Sequence, residues 1–132
     1  MLVAKPLPGY APVESPDCKF IYLTGNGTNA SNLGLWRFPV EGGEPKQVLE
    51  SLVGFRAYTL VDDGIYFIPR PDSAGGYSIQ FLETATGRIR RVVELGKQRG
   101  INRLTLSPDR RWALYSQAGE LASDLMLVEN FR

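Results

Sequence analysis

The strongest constraint on this 132-residue sequence is that it repeats itself. Ser15-Pro16-Asp17-Cys18-Lys19-Phe20-Ile21-Tyr22 returns as Ser107-Pro108-Asp109-Arg110-Arg111-Trp112-Ala113-Leu114. Between them stands Val61-Asp62-Asp63-Gly64-Ile65-Tyr66. Aligning Asp17, Asp62 and Asp109, spaced by 45 and 47 residues, brings Phe20, Ile65 and Trp112 into register. A second match sets Val40-Glu41-Gly42-Gly43 against Thr84-Ala85-Thr86-Gly87, with Gly43 and Gly87 44 residues apart. A chain with such a period is built from one supersecondary unit, and each copy must bury its apolar faces against its neighbours.

The unit is made of strands. Short runs rich in Val, Ile, Leu, Phe, Tyr and Trp are bounded by Gly, Pro, Asn, Asp and Ser. Apolar residues are nowhere sustained at helical spacing over three turns. Four strands per period of about 45 residues is the pattern of a propeller blade. Naming strands A to D from the inside outward, blade one has A at 12–14, B at 19–24, C at 35–40 and D at 46–50. Blade two has A at 58–61, B at 65–68, C at 77–83 and D at 89–95. Blade three has A at 103–106, B at 112–116 and C at 124–128, with no D strand to follow. The expected fold is therefore all-β, a partial β-propeller over residues 1–132. Blade one spans 10–50, blade two 57–95 and blade three 102–132, and residues 1–7 form an outer strand. Three blades cannot close a ring, and their end sheets are expected to leave apolar faces in water. The expectation is a homodimer with a two-fold axis and six blades, in which residues 1–7 of one copy complete blade three of the other.

The repeats resemble the WD40-like, or PD40, repeats of the TolB-type β-propeller family. The residues that carry this are Ser15-Pro16-Asp17 with Lys19-Phe20-Ile21-Tyr22, Leu35-Trp36-Arg37 with Gly42-Gly43-Glu44-Pro45, and Ser107-Pro108-Asp109 with Trp112. The resemblance covers nearly the whole chain and implies a bacterial propeller, usually of six or more blades. Where the family usually has Gly after Ser-Pro-Asp, this chain has Cys18 and Arg110. The segment from Ser123 to Arg132 resembles the C-terminal end of bacterial proteins that join a winged-helix DNA-binding domain to a propeller.

Composition excludes several kinds of chemistry. The sequence has no His, which removes Ser-His-Asp and Cys-His nucleophilic sites and His-ligated metals. Its single Cys permits neither an internal disulfide nor a CxxC metal knuckle. No G-x-S-x-G elbow or acidic cluster at ligand spacing is present. The expectation is no catalytic, metal or cofactor residue in this chain. Fifteen Lys and Arg against 14 Asp and Glu give a net charge of +1, with no global basic field to draw in nucleic acid. No apolar run approaches the ~20 residues a membrane helix needs, and the N-terminus lacks the form of a signal peptide. The compartment of the parent protein stays open between cytoplasm and periplasm.

Individual motifs mostly read as structure. Ser-Pro-Asp suits a tight turn, because Pro presets φ and the Asp carboxylate accepts a backbone N–H. The run from Gly25 to Ala30 fits G-x-G-x-x-A, but a strand follows it rather than the helix that a dinucleotide site requires. The Asn26-Gly27-Thr28 and Asn29-Ala30-Ser31 sequons read as turn residues. Cys18 lacks a cationic neighbour on its own face and reads as an incidental turn residue. Arg88, Arg90 and Arg91, with Lys97 and Arg99, read as a solvated strand edge. Phe20, Trp36, Tyr66, Phe67, Phe81 and Trp112 read as core between blades.

Binding is expected on the loops. In a propeller the B–C and D–A loops share one face, and here the B–C loops at 25–34, 70–76 and 117–122 are long and all different. Variable loops on a rigid scaffold are where partners usually dock. The candidate binding residues on this face are Tyr10, Asn26, Asn29, Phe55, Arg56, Arg70, Asp72, Arg99 and Asn102. The function expected is a non-enzymatic binding or scaffold module for a protein or small molecule, as the sensory or protein-interaction part of a regulator. The competing readings are the accessory propeller of a hydrolase whose catalytic domain lies outside this chain, and a chain with an assembly role only.

Overall fold

A computed structural model describes residues 10–25, 33–97, 100–118 and 123–129. It shows eleven strands and no helix among them. Sheet 1 has the order β1(Tyr10–Glu14), β2(Phe20–Gly25), β3(Gly34–Pro39), β4(Lys46–Leu49). Sheet 2 is β5(Tyr58–Val61), β6(Gly64–Phe67), β7(Gly76–Glu83), β8(Ile89–Lys97). Sheet 3 is β9(Leu104–Leu106), β10(Trp112–Ala118), β11(Ser123–Glu129). All pairings within the sheets are antiparallel between chain neighbours. The A to D order within each blade is thus the spatial order of each sheet. Residues 1–7, the proposed outer strand, lie outside the described residues.

Two apolar cores separate the three sheets. Tyr22, Leu35, Leu49, Leu52, Tyr58, Ile65, Phe67 and Leu82 fill the junction of sheets 1 and 2. Ala57, Tyr66, Ile68, Ile79, Phe81, Ile101, Leu104, Ala113 and Tyr115 fill that of sheets 2 and 3. β6 explains its own composition. Ile65 and Phe67 point to one junction and Tyr66 to the other, so the strand is buried on both faces and reads as a continuous apolar run. β7 divides likewise, with Tyr77, Ile79 and Phe81 toward sheet 3 and Leu82 toward sheet 1.

The structure corrects the repeat register by one residue. Ile21 pairs with Glu14 and Phe38, Ile65 with Leu60 and Leu82, and Ala113 with Leu106 and Val128. Ile65 therefore corresponds to Ile21 and Ala113, and the residue matching Phe20 and Trp112 is Gly64. Aligning Phe20 with Ile65 would turn strand B of sheet 2 to the wrong face. The cause is turn length. Val61 pairs directly with Gly64, so Asp62-Asp63 is a two-residue turn, whereas Ser15 and Ser107 donate their N–H groups to the carbonyls of Phe20 and Trp112 across four residues.

The aromatic readings divide. Tyr66, Phe67 and Phe81 are buried, while Phe20, Trp36 and Trp112 are only partly buried. The expectation of apolar faces at both ends also divides. Leu127, on the side of β11 turned away from sheet 2, is 58% exposed. On the corresponding outer side of sheet 1, Leu23 and Phe38 are only 3% and 9% exposed.

Candidate functional site

The loops that follow strands B and D are bonded into one face. Leu52 N–H donates to the Leu33 carbonyl at 2.8 Å, Val53 N–H to that of Ile68 at 2.9 Å, and Arg70 N–H to Ser51 Oγ at 3.2 Å. Asn102 N–H donates to the Ser116 carbonyl at 3.4 Å. The A–B and C–D turns are joined at the opposite face, where Val40 N–H donates to the Lys19 carbonyl and Thr84 N–H to that of Asp63. Among the described residues these bonds tie neighbouring connections to one another and fix that part of the loop face as a surface.

The predicted site residues fall into separate groups. Asn26, Asn29 and Arg99 lie outside the described residues. Tyr10 opens β1. Phe55 is 46% exposed and Arg56 is exposed beside it. Asn102 packs against Gly54, where an added Cβ would overlap the Asn102 side chain. Phe55, Arg56 and Asn102 therefore sit together. Arg70 and Asp72 line a different hollow of about 120 Å³ with Tyr77, Gln80, Arg91 and Glu94. Asp72 is committed to its own loop, since its Oδ1 accepts N–H bonds from Ala74 and Gly76, both at 2.9 Å. The Gly76 and Ala74 amides hold its carboxyl below the ordinary value.

Two residues that the sequence reading passed over complete the picture. Arg103 forms a parallel bridge with Arg56, and Leu104 N–H donates to the Arg56 carbonyl at 3.0 Å. With Thr59 Oγ donating to the Leu104 carbonyl at 2.8 Å, these bonds join the inner strands of sheets 2 and 3. A groove of about 350 Å³ runs along the inner wall, and Glu14, Arg56, Tyr58, Thr59, Arg103 and Thr105 line it. Arg110 acts at the opposite face. Its guanidinium donates to the Tyr66 hydroxyl at 3.0 Å, pairs with Asp63 at 3.0 Å and lies over the rings of Tyr66 and Phe81. The only sequence signal for Arg110 was its position where a Gly is usual, and its φ is +63°.

The Ser-Pro-Asp segments are structural. Ser15 Oγ donates to Asp17 Oδ1 at 2.6 Å, and the same oxygen accepts Lys19 N–H at 3.0 Å. Ser107, Asp109 and Arg111 repeat these bonds at the same lengths. The serine hydroxyl, then the amide, hold both carboxyls below the ordinary value. Cys18 sits in the left-handed region at φ +61°, exposed, and hydrogen bonding to Glu14 and its charge push the thiol up. A raised pKa suppresses the nucleophilic thiolate. Of the basic run, Arg91 pairs with Glu94 at 2.7 Å, and Arg90 lies over the Phe81 ring at 5.2 Å.

Sheets stacked face to face, with inner strands running side by side, are blades of a β-propeller. The chain is similar in structure to TolB from Acinetobacter baumannii, with a TM-score of 0.66 and 17% identity over 93% of this chain and 30% of that one. It is similar to a structure assigned to TolB from Agrobacterium tumefaciens, with a TM-score of 0.62 and 17% identity over 88% of this chain and 40% of that one. The chain thus spans well under half the length of these structures, and its fold is that of TolB-like propeller blades. No protein-family model and no curated protein matches the sequence.

Proposed function

We propose that this chain is a non-enzymatic binding module of a bacterial regulator, with its sensory or protein-interaction surface on the B–C/D–A face. The observation that carries this is the bonded loop face itself, which presents Phe55, Arg56 and Asn102 on a rigid base. The absence of His supports a role without catalysis. The resemblance of the C-terminal segment supports the regulator setting. An Arg56→Ala, Asn102→Ala double variant of the full parent protein is expected to lose its regulatory response while keeping its thermal midpoint. An unchanged response rejects this face.

The ring is completed by a second copy in the same proposal. Sheet 3 has three strands among the described residues where sheets 1 and 2 have four, which leaves the outer edge of β11 without a neighbour there. Leu127 is exposed beside that edge. Residues 1–7 of a partner would add the fourth strand and close six blades on a two-fold axis. Size exclusion with light scattering is expected to give twice 14.7 kDa, and Leu127→Glu to lower it. A monodisperse particle of 14.7 kDa overturns the dimer.

A further inference from the structure

We infer that Arg56 and Arg103 form a binding site for a small anion, a ligand bearing carboxylate or phosphate oxygens, on the inner wall of sheets 2 and 3. Residues matched in a parallel bridge stand about 4.8 Å apart and send their side chains to the same side. The Arg56–Arg103 bridge therefore starts two arginine side chains from adjacent backbone positions on the same side of the wall. Both residues are exposed, and both line the inner groove of about 350 Å³. Among the described residues neither has a carboxylate within ion-pair distance, although Arg91 and Arg110 each have one.

Two like charges side by side repel, and the bridge prevents them from separating at the backbone. An oxyanion between them removes that repulsion. Each guanidinium offers a planar fork of donors that matches a carboxylate or phosphate bidentately. The rest of the groove sets the polarity of the ligand. Leu60 and Leu104 give it apolar wall, and Glu14 on sheet 1 supplies a negative charge that turns the anionic end toward the arginines. A groove of this volume holds a small molecule rather than a protein segment.

This deepens the reading of the chain as a binding module, but it needs a single chain only, so it can fail alone. The test is calorimetric titration of the full chain with citrate and, separately, inorganic phosphate at low ionic strength. Light scattering is recorded on the same samples. Arg56→Gln and Arg103→Gln are each expected to weaken binding roughly tenfold or more, and the double variant to abolish it. Arg103→Lys, which keeps the charge and loses the fork, is expected to fall between. Arg88→Gln, on the C–D turn of the opposite face, serves as the charge control and is expected to bind as the parent does. Binding of citrate alone assigns the site to carboxylates, and of phosphate alone to phosphate groups. No heat with either probe, or equal affinity in the double variant and the parent, overturns the site. If the parent chain gives no heat with either probe while light scattering still reports twice the chain mass, the anion site is rejected and the assembly reading is left standing.

Discussion

The two junctions between sheets are built from the same repeat and are held differently. Both have an apolar core, and both place an arginine over an aromatic ring near the A–B turns. Between sheets 1 and 2 the pair is local. Arg37 of β3 lies 4.4 Å from the centre of the Phe20 ring of β2, within one sheet. A groove of about 330 Å³ remains open there, lined by Ser15, Asp17, Tyr22, Arg37, Asp62 and Thr84. Between sheets 2 and 3 the arginine comes from the other sheet. Arg110 reaches across to Tyr66, Asp63 and Phe81, and the inner strands are hydrogen-bonded as well. Turn length makes the difference. A four-residue turn with a left-handed third position can throw a side chain back over the preceding sheet, and the two-residue Asp62-Asp63 turn cannot.

The largest test of this comparison is Gly64→Ala. In sheet 2 the Phe81 ring occupies the space that Phe20 takes in sheet 1, so an added Cβ would overlap the Leu82 carbonyl oxygen and the edge of that ring. The expected loss in a urea melt is about 3 kcal/mol, at the upper end for overpacking. A loss below ~0.5 kcal/mol, the scale of surface changes, would return Ile65 to register with Phe20. Next comes Arg110→Ala. It removes a partly exposed ion pair, a hydroxyl contact and a ring contact, and is expected to cost about 1–2 kcal/mol. Arg37→Ala, whose contact joins no second sheet, should cost less than half as much in the same assay. Equal losses would mean that crossing between sheets does not matter.

A smaller effect of opposite sign is expected at Cys18. Its left-handed conformation is costly for a residue with a Cβ, by roughly 1–2 kcal/mol, against the ~0.5–1 kcal/mol entropy penalty of Gly. Cys18→Gly should raise stability by up to about 1 kcal/mol. Arg110→Gly relieves the same strain but loses the clamp, so its net change should lie below that of Cys18→Gly. Melting both variants decides this, and equal gains would deny the clamp.

The finest test is acid sensitivity. Asp17 and Asp109 have carboxyls held below the ordinary value by serine hydroxyls and turn amides. A pKa depressed in the folded state means that stability is fully present above the unfolded value of about 3.9 and falls as pH drops through the folded value. Asp17→Asn and Asp109→Asn keep an accepting oxygen but no longer titrate. Their stability should change less than the parent's below pH ~4. A parallel acid limb in parent and variants would show that these turns do not sense pH.

The sequence by itself determined the strands and their order. Alternating and continuous apolar runs bounded by turn residues specify β-strands locally, and a period of about 45 residues fixes how many share a blade. Gly43 and Gly87 could be read as turn positions, and both have positive φ. The Ser-Pro-Asp turns were legible because their hydrogen bonds span only a few residues. Phe55, Arg56 and Asn102 were placed on one face from loop position alone. Register across the short turn was not legible, because Asp62 imitates Asp17 in identity while its turn is two residues shorter, and a strand's face depends on that count. Only the tertiary structure decided which arginines matter. Arg103 and Arg110 owe their roles to partners 47 and 44 residues away in sequence, Arg56 and Tyr66, and such contacts arise only when neighbouring sheets stack.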